Sequence, residues 1–114
     1  MDISLKSFIE TIGGEILTPS VNITDKKISN GYVSDLLSDV MGNAKEDQVW
    51  ITIMKHLNSV AVASLVNIPC IVFAKGIKPE PEVIAKAVEE NICLVSSKES
   101  SFTIAGKLYQ LLNG

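Results

Sequence analysis

The sequence predicts an α/β protein: a small three-layer sandwich on a mainly parallel sheet. Two observations carry that reading. Three short β-rich apolar runs, at residues 49–53, 70–73 and 92–95, alternate with three segments of helical periodicity, the βαβαβα order of a parallel sheet with crossover helices. The runs are apolar almost throughout instead of alternating, so both faces of the sheet are expected to be covered. No linker, low-complexity tract or repeat interrupts the 114 residues. The whole chain, 1–114, is therefore read as one domain.

The elements follow in order. Leu5, Phe8, Ile9 and Ile12 have the i, i+3, i+4, i+7 spacing of one helix face, and Gly13-Gly14 supplies a left-handed stop. Residues 15–17 read as a short strand, 18–27 as a polar turn and 31–34 as a second strand. A short helix over 36–41 follows, with Asp35 as its simplest N-cap and Gly42-Asn43 as its end. After the third strand (49–53), residues 59–66 form a helix that is apolar on nearly every side, the most buried of the set. Asn58 is its expected N-cap, and Asn67 and Pro69 mark its end. The fourth strand (70–73) leads to a helix opened by Pro79-Glu80-Pro81-Glu82, with proline and acid where an N-terminus favours them. The fifth strand (92–95) leads to a helix beginning near Ser100-Ser101, with Ala105, Leu108, Tyr109 and Leu112 on one face.

Composition removes several classes of function. Thirteen acidic residues face ten basic ones, all of them Lys, giving a net charge of -3 and a pI near 5.0. That balance argues against a nucleic-acid module. With no Arg in the chain, bidentate guanidinium clamps on phosphate are excluded. Cys70 and Cys93 sit in apolar runs and read as core thiols of a reduced, cytoplasmic protein. Together with His56, the only histidine, they make no recognisable metal or cluster site, and no cofactor is expected. The start, Met1-Asp2-Ile3-Ser4, lacks the features of a signal peptide. The longest apolar stretch, 60–66, is broken by Ser64 and is far shorter than the roughly 20 residues of a membrane span.

In an open parallel sheet the ligand crevice lies beyond the carboxyl ends of the strands. Four loops end there: Asp35 after the second strand, Lys55-His56-Leu57-Asn58 after the third, Ala74-Lys75-Gly76 after the fourth, and Ser96-Ser97-Lys98 after the fifth. Three lysines and the single histidine thus share one edge of an acidic protein, beside helix N-termini with free N–H groups. An anion-accepting crevice is expected, formed by Asp35, Lys55, His56, Asn58, Lys75, Gly76 and Ser97. Each residue also has a plainer role. His56 or Asn58 caps the following helix, the lysines are solvated, Gly76 makes a turn, Ser96 and Ser97 end a strand, and Asp35 caps. No catalytic set emerges, because there is no nucleophile elbow, no phosphate loop and no cysteine near the histidine in sequence. Trp50 and Tyr109 read as core or dimer-interface aromatics.

The run Gly31-Tyr32-Val33-Ser34-Asp35-Leu36-Leu37-Ser38-Asp39-Val40-Met41, then Val49-Trp50-Ile51-Thr52-Ile53 and Lys55-His56-Leu57-Asn58-Ser59-Val60-Ala61-Val62-Ala63, resembles the DRTGG domain family. The likeness continues through Phe73-Ala74-Lys75-Gly76-Ile77-Lys78-Pro79-Glu80-Pro81 and Leu94-Val95-Ser96-Ser97, nearly the whole chain. It implies a module similar to the N-terminal domain of HPr kinase, also found beside phosphotransacetylase catalytic domains and beside CBS domains in pyrophosphatases. It further implies a regulatory homodimer with adenine nucleotides as ligands, and association of free-standing members with iron-only hydrogenase systems. The family's acidic-basic pair and Thr-Gly-Gly correspond here to Lys55-His56-Leu57-Asn58 and Ala74-Lys75-Gly76, of which only Gly76 carries over. No phosphate loop of a kinase is present.

The sequence thus points to a non-catalytic regulatory or ligand-sensing module for a phosphorylated small molecule. The alternative is an assembly or interaction subunit of a hydrogenase or kinase system, with a protein partner and no small ligand. An enzyme comes last.

Overall fold

The computed structural model describes residues 2–114. A five-stranded sheet has the order β2 (Glu15–Ile16), β7 (Cys93–Ser96), β6 (Cys70–Phe73), β5 (Gln48–Thr52), β4 (Asn30–Val33). The strands β4 to β7 are parallel, in the registers Tyr32↔Trp50, Trp50↔Ile71 and Ile71↔Leu94. The short β2 runs antiparallel to β7. A separate two-stranded ribbon pairs β1 (Ile3–Ser4) with β3 (Lys27–Ile28). Sequence periodicity does not reveal that ribbon, because two-residue strands are too short to show a period.

Alternation along the strands divides the core in two. Val49, Ile51, Cys70, Val72, Cys93 and Val95 face one side, where α1 (Leu5–Thr11) and α5 (Ser101–Asn113) bury Phe8, Ile9, Ile104 and Leu108 against them. Trp50, Ile71, Phe73 and Leu94 face the other, under α2 (Leu37–Asn43), α3 (Leu57–Leu65) and α4 (Pro81–Glu89). The expected three layers are therefore present. Trp50 is fully buried, and its indole N–H donates to the Ser34 carbonyl at 2.8 Å. Cys70 and Cys93 are buried free thiols directly opposite each other. Hydrogen bonding to Cys93 and burial push the Cys70 thiol well above its ordinary value.

Several local expectations change. Asp35 does not cap α2: Leu36 is the N-cap, without a side-chain bond, while the Asp35 carboxylate turns to β5 and accepts from Thr52 Oγ1 at 2.7 Å and from the Ile53 N–H at 3.0 Å. Two donors on a neighbouring strand satisfy the carboxylate better than one helix N–H. Gly42 and Asn43 are the last two residues of α2, with Ala44 as its C-cap. The N-cap of α3 is His56, not Asn58, and the Asn58 N–H donates to His56 Nδ1 at 3.1 Å. The apolar α3 buries Val60, Val62 and Ala63 but leaves Leu57 and Leu65 exposed. The 18–27 segment is not simply a polar turn, since Thr18 and Val21 are buried and Thr18 Oγ1 accepts from the Leu94 N–H. Among the described residues no helix is long and apolar enough to cross a membrane.

Candidate functional site

Because β4 to β7 are parallel, their following loops converge on one sheet edge in the order β7, β6, β5, β4. At about 4.8 Å per strand the outer loops stand about 14 Å apart, a span suited to an elongated ligand. The helices α3, α4 and α5 begin at this edge, each directing the positive end of its dipole toward it.

Hydrogen bonds tie the loops in pairs. The Lys75 N–H donates to the Glu99 carbonyl at 2.9 Å and the Gly76 N–H to the Ser97 carbonyl at 2.8 Å, which joins the loop after β6 to the loop after β7. Lys75 and Gly76 both take positive φ, 62° and 70°, to make that tight turn. The stem of Lys98 lies over Gly76, where an added Cβ would meet its Cγ at 3.9 Å. Lys75, Gly76 and Lys98 are thereby brought together. On the other side, Asp35 is bonded to Thr52 and Ile53. Lys55 and His56 lie exposed between these two pairs. No side-chain hydrogen bond links the Lys55–Asn58 segment to Lys75, Gly76 or Ser97.

Five of the seven expected residues have structural work. Ser97 is 1 % exposed; its hydroxyl donates to the Ile12 carbonyl at 2.7 Å, fastening the end of α1 to the end of β7. The Asp35 carboxylate holds β4 to β5, and the backbone of Asn58 is bound by the His56 cap. Since the cap uses the Nδ1 lone pair, it needs a neutral imidazole with its proton on Nε2, in place of the imidazolium that would suit an anion best. Gly76 gives its N–H to Ser97, so the turn offers no free backbone cradle for phosphate.

Among the described residues no carboxylate lies within 4.0 Å of the ammonium groups of Lys55, Lys75 or Lys98; the ion pairs are Lys78–Glu15, Lys86–Glu89 and Lys107–Glu99. The last of these borders the site and escapes sequence reasoning. Glu99 Oε2 pairs with Lys107, while the buried Glu99 Oε1 has no hydrogen-bond partner. The eight-residue separation of Glu99 and Lys107 crosses a loop and two helical turns, which leaves no short-range signal. No group of three or more His, Cys, Asp and Glu suited to a metal ion occurs among the described residues. Neither a groove of about 160 Å³ nor one of about 250 Å³ is lined by any of the seven residues.

The sequence profile described as HPr Serine kinase N terminus matches residues 55–112, from the loop after β5 through α5. A search of curated proteins finds no match. Among solved structures, the CBS and DRTGG domains of the regulatory region of Clostridium perfringens pyrophosphatase, complexed with the activator diadenosine tetraphosphate, superpose with a TM-score of 0.78 at 19% identity. The match covers 94% of this chain and 46% of that one, so this chain spans about half the length of that regulatory region. At this identity the likeness concerns the fold, which is the DRTGG domain fold. Neither comparison names a hydrogenase. The profile covers just over half of the residues, including three of the four candidate loops, and on that ground the chain belongs to the HPr serine kinase N-terminus family.

Proposed function

We propose that this protein is a non-catalytic regulatory module that senses an adenine nucleotide or a related phosphorylated small molecule at the carboxyl edge of its sheet. The observation that carries the reading is the set of three lysines, Lys55, Lys75 and Lys98, placed at one edge without carboxylate partners in a protein of net charge -3. Unpaired like charges on neighbouring loops repel one another, and a bound anion removes that cost. The N-termini of α3, α4 and α5 act in the same sense. His56 Nε2–H adds a neutral donor. Asp35, Asn58, Gly76 and Ser97 serve as the frame that holds the lysines in place. Membership in a family of kinase N-terminal domains, and a fold shared with a regulatory region crystallised with a dinucleotide activator, support a sensing role in place of catalysis.

Such a site binds weakly and with strong salt dependence, because exposed ammonium groups without a backbone cradle are screened by counterions. Titration calorimetry with AMP, ATP, diadenosine tetraphosphate and inorganic phosphate tests it directly. Millimolar or tighter binding of a nucleotide, weakened at least several-fold by Lys75→Ala or Lys98→Ala and by added salt, is the expected result. If no anion binds at millimolar concentration, or if both variants bind as well as the parent, the sensing role is wrong and an assembly role without small ligand replaces it.

A further inference from the structure

Two nucleophilic side chains have no part in the lysine edge. Cys70 and Cys93 are the first residues of β6 and β7, at the opposite end of the sheet from Lys75 and Lys98. They are Cα partners in the parallel register, which the Cys93 N–H helps to fix by donating to the Pro69 carbonyl at 3.0 Å. Both side chains belong to the core on the α1 and α5 face. Neighbouring strands put such Cα atoms about 4.8 Å apart, inside the roughly 4.4–6.8 Å that a disulfide spans. Both thiols are free and buried, so the fold holds a reduced pair within bridging range.

The surroundings of the two sulfurs differ. Thr18 is fully buried and its Oγ1 accepts from the Leu94 N–H, which leaves the hydroxyl proton for Cys93. The Lys26 ammonium donates to the Asn91 carbonyl at 3.1 Å, two residues before Cys93, and none of the ion pairs among the described residues includes it. Hydrogen bonding from the Cys70 thiol, then the Thr18 hydroxyl and the Lys26 charge, hold the Cys93 thiol below its ordinary value against the effect of burial. Cys70 is shifted the other way. The thiolate is the reactive form, so one sulfur is the nucleophile while the other keeps its proton.

The cover over the pair is thin. Residues 18–26 form no helix or strand, and Val21 and Ile23 of that segment pack in the same core cluster as the two cysteines. Irregular segments of this kind open locally at less cost than the sheet beneath them. Alongside lies a polar cavity of about 250 Å³, lined by Lys26, Asn91 and the residues that precede the two cysteines, Pro69 and Ile92. At about 30 Å³ for a water, it has room for several small polar molecules.

We propose that Cys70 and Cys93 form a redox-active dithiol whose substrate is a small hydroperoxide, with Cys93 as the attacking thiol and Cys70 as the resolving one. The Cys93 sulfur attacks one peroxide oxygen and the O–O bond breaks. Cys93 becomes a sulfenic acid, and the other oxygen leaves as water or an alcohol with the proton that the Cys93 thiol gave up. The Cys70 sulfur then attacks the Cys93 sulfur, the S–O bond breaks, and hydroxide leaves with the Cys70 proton as water. Two thiols are thereby oxidised by two electrons to one disulfide, and one peroxide is reduced.

This dithiol does not depend on the nucleotide reading, since the two sites lie at opposite ends of β6 and β7. Hydrogen peroxide added to the reduced full chain tests it, with alkylation in denaturant before mass spectrometry and thermal melts to show that each variant is folded. The parent is expected to form one internal disulfide between Cys70 and Cys93. Its mass falls by two hydrogens, it takes up no alkylating agent, and dithiothreitol restores both thiols. Cys70→Ser should stop at a sulfenic acid on Cys93 that dimedone traps, and Cys93→Ser should be oxidised at least tenfold more slowly. Two free thiols in the peroxide-treated native chain, a disulfide formed only in urea, bonds between chains in its place, or a Cys93→Ser chain oxidised as fast as Cys70→Ser would overturn the proposal.

Discussion

Asp35 and Thr52 clasp the carboxyl ends of two neighbouring parallel strands. The Thr52 hydroxyl donates to Asp35 Oδ1 at 2.7 Å, and the same carboxylate oxygen accepts the Ile53 N–H at 3.0 Å. Thr52 Oγ1 in turn accepts from the Met54 N–H, so one aspartate fixes the direction in which the chain leaves β5 toward Lys55 and His56. Asp35→Ala is expected to destabilise the fold by about 1 kcal/mol, the net worth of bonds at a partly exposed carboxylate. It should also speed amide exchange of Ile53 and Met54. Urea unfolding with exchange NMR measures both, and unchanged protection of Ile53 would show that the clasp does not hold the loop.

His56 has two separable roles, capping through Nδ1 and contact with ligand through Nε2. His56→Ala should cost about 1 kcal/mol through loss of the cap and should also weaken anion binding. His56→Asn should keep the cap and stability while still weakening binding. Equal nucleotide affinity of parent and His56→Asn would confine the histidine to capping.

Ser97 fastens α1 to β7. Ser97→Ala leaves the Ile12 carbonyl without its hydroxyl donor and should cost about 1–3 kcal/mol. Nucleotide affinity of the folded variant should stay within two-fold of the parent. A large loss of affinity at unchanged stability would assign the hydroxyl to the ligand.

The chain packs closely on itself at Gly14. A Cβ there would lie 2.6 Å from Val95 Cγ1 and 3.2 Å from the Ile9 carbonyl. Valine is stiff at χ1 and Val95 is fully buried, so neither neighbour yields easily. Gly14→Ala is expected to cost about 1–3 kcal/mol by overpacking, measured by chemical denaturation.

Asp39 makes stability depend on acid pH. Hydrogen bonds from Ser34, Tyr32 and Asn43 hold its carboxyl below the ordinary value of 3.8, with the Tyr32 hydroxyl at 2.9 Å. Because the folded value is the lower one, the carboxylate favours the folded state above pH 3.8, and this contribution disappears as pH falls through the depressed value. Asp39→Asn should therefore unfold at lower urea than the parent at neutral pH, and the gap should close below pH 3.8. A gap independent of pH would show that the charge of Asp39 is irrelevant.

The residues themselves determined the class and the layering. The apolar runs around Trp50, Ile71 and Leu94 have no polar face to show to water, so they had to become strands covered on both sides. The periodic segments between them had to be the crossover helices that parallel strands need. The same topology puts Lys55, Lys75 and Lys98 on one edge from the strand order alone. The tertiary structure alone decided what depends on neighbours remote in sequence. It sent Asp35 to Thr52 instead of to α2, chose His56 over Asn58 as the cap of α3, turned Ser97 inward to Ile12, and paired the two-residue β1 and β3. It also set Cys70 opposite Cys93 under the 18–27 segment. Side-chain hydrogen bonds are won by whichever donor the fold brings within about 3 Å. Sequence periodicity records which face of an element is buried, but not which distant residue stands opposite it.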